Sequence, residues 1–306
     1  LDALLFGADG AGAGEAPRLA STLMPESGYA ALRSATGDFT VVMKFGQHGG
    51  AHGHFDKLNF VSFAEGRHLA ADPGTQAYGA KTHSTWDKAT VAHNTVVVDE
   101  RTQAAATGAL LEWKAEAGFT AVRASAGPAY PGVRLERTLI QTAEYLLDVF
   151  DAAADDGKPR GFDWVYHNFG EASSPLRTSP YSAFPASEGY QHLTRASAGE
   201  TERDWQCDFR QPGAGVRLRM LAAPQTRVVF GQGFGPDLRV PVPFVMARRR
   251  GTRLRFAVLH EPYRDRAAIE SFEETTPGAY RIRGAGWTDR VSASPGALDV
   301  RRTRSV

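Results

Sequence analysis

The chain contains one cysteine, Cys207, so no intrachain disulfide can staple it, and a lone cysteine carries no information about redox compartment. It has no run approaching the roughly 18–20 apolar residues of a membrane-spanning helix, which excludes a helical integral membrane protein. It also lacks charge of one sign. Lys and Arg number 35 against 34 Asp and Glu, a net charge of +1, so the footprint of a general nucleic-acid binder is missing. No GxxxxGK, GxSxG or HExxH occurs, nor a GxGxxG following a strand. Phosphate-loop, hydrolase-elbow, metalloprotease and dinucleotide readings therefore have no support. Lysine is scarce: only six of the 35 basic residues are lysine. Arginine suits a bidentate grip on carboxylate or sulfate, although GC-rich coding produces the same bias.

What is present points to many short strands. The 306 residues include 32 glycines and 17 prolines, above the usual combined share of about 12%. From Gly28 onward the apolar residues fall in short runs rich in Val, Phe, Tyr and Thr, each bounded by Gly, Pro, Asp or Asn. Phe39–Phe45, Leu58–Phe63, Thr95–Asp99 and Tyr145–Phe150 are examples. Val216–Leu221 and Arg253–Leu259 alternate polar and apolar residues, as strands with one wet face do. Helix competes only around Thr107–Ala117. No 20–50-residue repeat is visible. The expected class is all-β: an antiparallel β-sandwich of two or more stacked sheets.

The N-terminus reads differently. Leu1–Gly7 resembles the last turns of a helix whose earlier part is missing, followed by a small-residue linker through Pro17. We therefore expect a piece of a longer protein, with residues 1–24 the end of a preceding helical domain and its linker, and 25–306 the sandwich.

Six of nine histidines fall between residues 48 and 93: His48, His52, His54, His68, His83 and His93. Read as an extended segment, His52-Gly-His54 projects both imidazoles to one face, with Gly53 permitting close approach of backbone or ligand. Asp72, in Asp-Pro-Gly-Thr, stands where a strand should turn, and His93 at the mouth of the next strand. One carboxylate and two imidazoles from adjacent strands suit Zn2+, whose ligands are N, O and S donors. The alternative is histidines that pack or hydrogen-bond individually, as expected for His167 among its aromatics and for His260 in a loop. Asp56 is either a support for the metal ligands or a surface ion pair, and His48 a rim residue. Arg248–Arg253 and Arg301–Arg304 read as a basic turn and a solvated tail, or as attractors of an acidic polysaccharide.

These residues carry a resemblance. Gly49-Gly-Ala-His-Gly-His-Phe-Asp-Lys-Leu-Asn-Phe60, then Asp72-Pro-Gly-Thr75 with Tyr78-Gly79, then Trp86 through Asp99 with its Ala-His-Asn-Thr-Val core, resemble the C-terminal half of heparinase II/III-like polysaccharide lyases. That group includes heparin/heparan and oligo-alginate lyases. The likeness continues through Pro131–Leu139 and Asp163–Gly170 and covers roughly residues 20–170. It implies an N-terminal α/α toroid before the sandwich, with the active site in the cleft between them. By position it implies His54, Asp72 and His93 as zinc ligands, His52 as the sandwich histidine facing substrate, and Tyr78 as a tyrosine that some members supply from this half. The zinc is then expected to be structural.

Such lyases remove the C5 proton of a uronate and expel the O4-linked sugar. The C5 proton lies alpha to a carboxylate that resists further negative charge, so a neutralising group is needed beside a base and an acid. An imidazole can serve in either protonation state near neutrality. The expected substrate is an alginate- or glycosaminoglycan-type polysaccharide, the expected partner the toroid of the same protein, and the expected location periplasmic or secreted, from the substrate class alone. Two rivals stand beside the lyase: a non-catalytic, metal-stabilised carbohydrate-binding module, and a uronate C5-epimerase on the same scaffold.

Overall fold

The computed structural model describes residues 19–304. The expected helix end at Leu1–Gly7 and the linker through Pro17 lie outside these residues. Strand pairing begins before the expected boundary at residue 25. Thr22–Met24 forms a strand against Tyr29–Arg33, because the Gly28 turn folds the chain back in antiparallel register.

Among the described residues the fold is almost all β, in four antiparallel sheets. The first is a five-stranded meander of consecutive strands from Thr22–Met24 to Arg67–His68. The largest has eight strands, with Arg253–Tyr263 and Leu146–Ala154 at its centre and Ala109–Glu116 at one edge. That edge strand occupies the one segment where the sequence allowed a helix. Pairing with Phe119–Ser125 decides the matter: the segment is matched to that strand in antiparallel register, with one bulge between Leu110 and Glu112. A six-stranded sheet includes Val96–Val98, Arg160–His167 and Pro241–Gly251. The last, four-stranded, runs in chain order from Ile269–Thr276 through Ala279–Gly284 and Trp287–Ser292 to Asp299–Arg304. No described helix is long and apolar enough to cross a membrane.

The layers follow from strand alternation. In Leu146–Ala154, Leu146 and Phe150 face a core shared with the five- and six-stranded sheets, whereas Leu147 and Val149 face the four-stranded sheet. The eight-stranded sheet is thus the middle layer. Arg301–Arg304, expected as a tail, is a paired strand in the outer layer. His260, expected in a loop, lies within the central strand Arg253–Tyr263, buried, with its ring against Phe60, Trp164 and Tyr166. The apolar period of that strand runs on past Leu259, which the Glu-Pro that follows had concealed.

One buried ion pair ties the middle layer to the segments that form the site. Arg137 Nε and Nη2 donate to the two carboxylate oxygens of Asp148 at 2.8 and 2.6 Å, both side chains fully buried. Arg137 Nη1 donates to the carbonyls of Leu58 and Asn94 at 2.6 and 2.5 Å. Leu58 has φ 64°, in the left-handed region that a branched side chain rarely adopts, and its carbonyl is held there by that guanidinium. Asp148 also accepts from Trp164 Nε1 at 3.2 Å. Burial pushes its carboxyl up, but the Arg137 charge and the two Arg137 hydrogen bonds outweigh it, with the His260 ring 3.6 Å away, bringing the pKa down to about 2.

Candidate active site

The segment carrying the histidine pair is not a strand. Gly50–His52 forms one 3-10 turn between two strands of the meander, and Gly53 closes it. A Cβ on Gly53 would lie 1.7 Å from the carbonyl oxygen of His48, so only glycine lets the loop fold onto itself here. The turn sends the two imidazoles different ways. His52 is exposed and its Nδ1 lies 2.8 Å from the Tyr78 hydroxyl, whereas His54 turns inward, its ring 5.4 Å from that of His93. The expectation of a shared strand face is thus corrected. The pair divides by a turn of the backbone, and each histidine reaches a different neighbour.

His54, Asp72 and His93 come together. One ligand atom from each lies within 4.8 Å of the others, the only such group among the described residues. Asp72 is oriented from two sides, with Asn59 Nδ2 donating to Oδ2 at 2.9 Å and the Gly74 amide to Oδ1 at 2.9 Å. The latter is the Asx turn that Asp-Pro-Gly favours. His93, fully buried, donates Nε2–H to the Asp87 carbonyl at 3.0 Å. That bond fixes the tautomer and leaves Nδ1 facing Asp72 Oδ2 at 3.1 Å. Two lone pairs cannot face each other at that distance without a proton or a metal cation to share.

The electrostatics agree. Burial alone would keep His93 neutral, but the Asp72 carboxylate overrides it and raises the imidazole above its ordinary value. Burial would raise Asp72, and His93 instead holds it well below the usual carboxylate range. Burial, then the neighbouring His93, lowers His54 to about 4, so it stands neutral with its lone pair available. Two imidazoles and a carboxylate held by outer hydrogen bonds are a donor set that fits Zn2+.

Several residues that matter here had no separate signal in the sequence. Asn94 spends its side chain on the backbone: Nδ2 donates to the carbonyls of Phe60 and Ala71, and Oδ1 accepts from the His167 amide. Asn59 Oδ1 in turn accepts from the Asn94 amide. The two asparagines thus lock three segments around Asp72 and His93. Both asparagines lie in segments that carry the resemblance, in Leu-Asn-Phe and His-Asn-Thr, but no spacing sets them apart from the other polar residues of the chain. Asp87 ends a short π-helix, His83–Asp87. Its carbonyl holds His93, its Oδ2 accepts from the Gln76 amide at 2.7 Å, and it faces His83 Nδ1 at 3.5 Å. The His83 ring meets the edge of Tyr78 at 4.9 Å. Asp87 therefore connects the three-ligand cluster with the loop that presents Tyr78.

The remaining histidines and Asp56 have other duties. His48 stacks on Phe55 at 4.7 Å, and His167 is buried with Nε2 donating to the Val91 carbonyl at 2.8 Å. Asp56 pairs with Lys44 at 2.8 Å, and the pair is largely buried rather than on the surface. Arg248, in the expected basic turn, is tied to Asp163 and Glu100.

Known proteins share this architecture. A heparan sulfate lyase (HepC mutant) from Pedobacter heparinus superposes with a TM-score of 0.70 at 15% identity, over 95% of this chain and 43% of that one, which shows the fold. In sequence, an alginate lyase of Stenotrophomonas maltophilia is 30% identical over 209 residues, 56% of this chain and 27% of that protein. An exo-oligoalginate lyase of Saccharophagus degradans is 39% identical over 71 residues, 20% of this chain and 10% of that protein. The chain therefore matches less than half the length of each of these proteins. The model of the family "heparinase II/III-like, C-terminal" matches residues 16–233, from before the first strand through both halves of the histidine cluster, and the chain belongs to that family.

Proposed function

We propose that this chain is the sandwich half of a polysaccharide lyase that cleaves a uronic-acid glycan of alginate or glycosaminoglycan type by β-elimination. The observation that carries the reading is the exposed His52–Tyr78 pair, hydrogen-bonded at 2.8 Å, beside the His54–Asp72–His93 cluster. Family membership and the alginate lyase relatives support it.

In the reaction a base takes the C5 proton, the C5–H electron pair forms the C4=C5 bond, the C4–O4 bond breaks, and an acid protonates O4. In this reading His52, exposed beside Tyr78, hydrogen-bonds or neutralises the uronate carboxylate, lowering the cost of charge at C5. The Tyr78 hydroxyl can exchange a proton along its bond to His52 and deliver or accept one at the sugar. His54, Asp72 and His93 are the residues that would hold Zn2+. Bound there, the ion would pin the 50–54 turn, the Asp-Pro-Gly turn and the His93 segment together. In this reading the opposite wall of the cleft, with the remaining acid–base groups, belongs to an N-terminal α/α toroid of the same protein. Polymeric uronates are met outside the cytoplasm, so the reading carries a periplasmic or secreted location with it.

The test is a panel of alginate, heparan, chondroitin and hyaluronan given to the full-length protein, read by the new ultraviolet absorbance of an unsaturated uronate. Absorbance that appears and is lost in His52→Ala supports the lyase. C5 inversion without absorbance would replace it with an epimerase, and binding without either product with a carbohydrate-binding module.

A further inference from the structure

The outer face of the four-stranded sheet, beyond residue 233 where the family match ends, carries an arginine row. Arg281, Arg290 and Arg301 are direct cross-strand partners on three adjacent strands, and all three are exposed. Arg283 lies on the same face, two residues along from Arg281. The opposite face of the sheet is packed: Tyr280, Ile282 and Val291 belong to the core against the eight-stranded sheet. Like charges directly opposite on neighbouring strands destabilise a sheet. Here the ends of the row are compensated, Arg281 by Glu273 at 2.6 Å and Arg301 by Asp299 at 2.7 Å. Arg290, in the middle, has no carboxylate partner among the described residues. In a chain of net charge +1 this concentration is local. The row lines a groove of about 890 Å3 that also includes Ser292, Thr275, Lys114 and the carboxylates Glu112 and Asp299; Lys114 lies 3.7 Å from Asp299, so among the described residues Arg290 is the cation of the groove left without a carboxylate of its own.

We infer that this groove binds a stretch of carboxylate-bearing polysaccharide as a second site, apart from the histidine cluster. Neighbouring strands lie about 4.8 Å apart, close to the length of one sugar residue in a 1,4-linked chain, so successive guanidiniums can meet successive uronates. The guanidinium fork grips a carboxylate bidentately, and Ser292 and Thr275 supply partners for sugar hydroxyls. Tyr280, the aromatic of the groove, is buried, so a stacking platform for nucleobases is lacking. The choice of ligand class rests on the lyase reading; the groove itself does not.

The experiment measures binding of an alginate-derived oligouronate to this chain by calorimetry at low salt. The variants are Arg290→Gln and, as a charge-matched control, the exposed hairpin residue Arg250→Gln. A neutral cello-oligosaccharide and a single-stranded DNA oligonucleotide serve as further probes. The groove predicts about tenfold weaker oligouronate binding for Arg290→Gln, no change for Arg250→Gln, and no cello-oligosaccharide binding. Equal affinity of Arg290→Gln and wild type overturns the site. Equal losses in both variants, or DNA binding as tightly with the same dependence on Arg290, overturn a polysaccharide site. Binding is read without turnover, so an inactive full-length protein with an Arg290-dependent groove would sink the lyase reading alone. Full lyase activity with no Arg290 effect on binding would sink only the groove.

Discussion

Replacing Arg137 by leucine removes the one positive charge facing Asp148 in the middle of the fold. Both side chains are fully buried and joined by two charge-assisted hydrogen bonds of 2.8 and 2.6 Å. Breaking a buried pair from one side typically costs about 3–5 kcal/mol, because the remaining charge stays buried without compensation. The carbonyls of Leu58 and Asn94 lose their donor in the same substitution, which adds to that figure. For a domain of this size the melting temperature should drop by roughly 10 °C. The effect should reach the site as well, since Leu58 and Asn94 are the chain neighbours of Asn59 and His93. Bound metal should therefore decrease along with stability. In Arg137→Leu/Asp148→Leu no charge is left buried, so the double variant should be more stable than the single one while its metal content stays low. Thermal and urea melts with elemental analysis on the same preparations decide this. A single-variant loss below about 1 kcal/mol, or a double variant worse than the single, would refute the reasoning.

Four further outcomes are expected. Alanine at His54, Asp72 or His93 should lose at least the 10–100-fold in metal affinity that outer-sphere changes cost and lower the melting temperature. His52→Ala should keep both metal and fold while the full-length protein loses most activity, so metal analysis and melts of the four separate ligand from substrate-facing group. Asp148 is held below its unfolded value, so its stabilisation is complete above about pH 4. It is lost as pH falls toward about 2, on the order of 2 kcal/mol, so urea melts across that range should show a steeper loss for wild type than for Arg137→Leu/Asp148→Leu, in which the other carboxylates still titrate. Gly53→Ala should abolish activity of the full-length protein by forcing open the turn at His48, whereas Gly79→Ala, which meets nothing within 4 Å, should leave activity within about twofold. Purified residues 1–306 without a partner chain should give no appreciable unsaturated product; robust product would show that this half holds the complete acid–base set.

The sequence by itself determined the fold class and gathered the histidines and Asp72 into one region, while the choice of His54, Asp72 and His93 as the converging three came from the family resemblance, since spacing alone left His52 and His54 equivalent. Short alternating runs punctuated by Gly and Pro admit little except stacked antiparallel strands, and a carboxylate in Asp-Pro-Gly must end a strand with its side chain turned back on the backbone. Local rules failed where the decisive partner was far along the chain. The 50–54 segment reads as extended by its spacing, yet it turns, because Gly53 must pass against the His48 carbonyl. His260 looked like a loop residue because its neighbours Glu261 and Pro262 are poor strand formers, yet His260 is paired on both sides, and Ala214–Met220 alone carries Glu261 and Pro262 on in the ladder. Arg301–Arg304 looked like a solvated tail because nothing local shows that Trp287–Ser292 waits beside it. Asn59, Asn94, Asp87 and Arg137 were the least legible. Each is a polar group whose value lies in backbone carbonyls and amides that only the folded chain brings within 3 Å, and only tertiary structure could decide which of the many polar residues those would be.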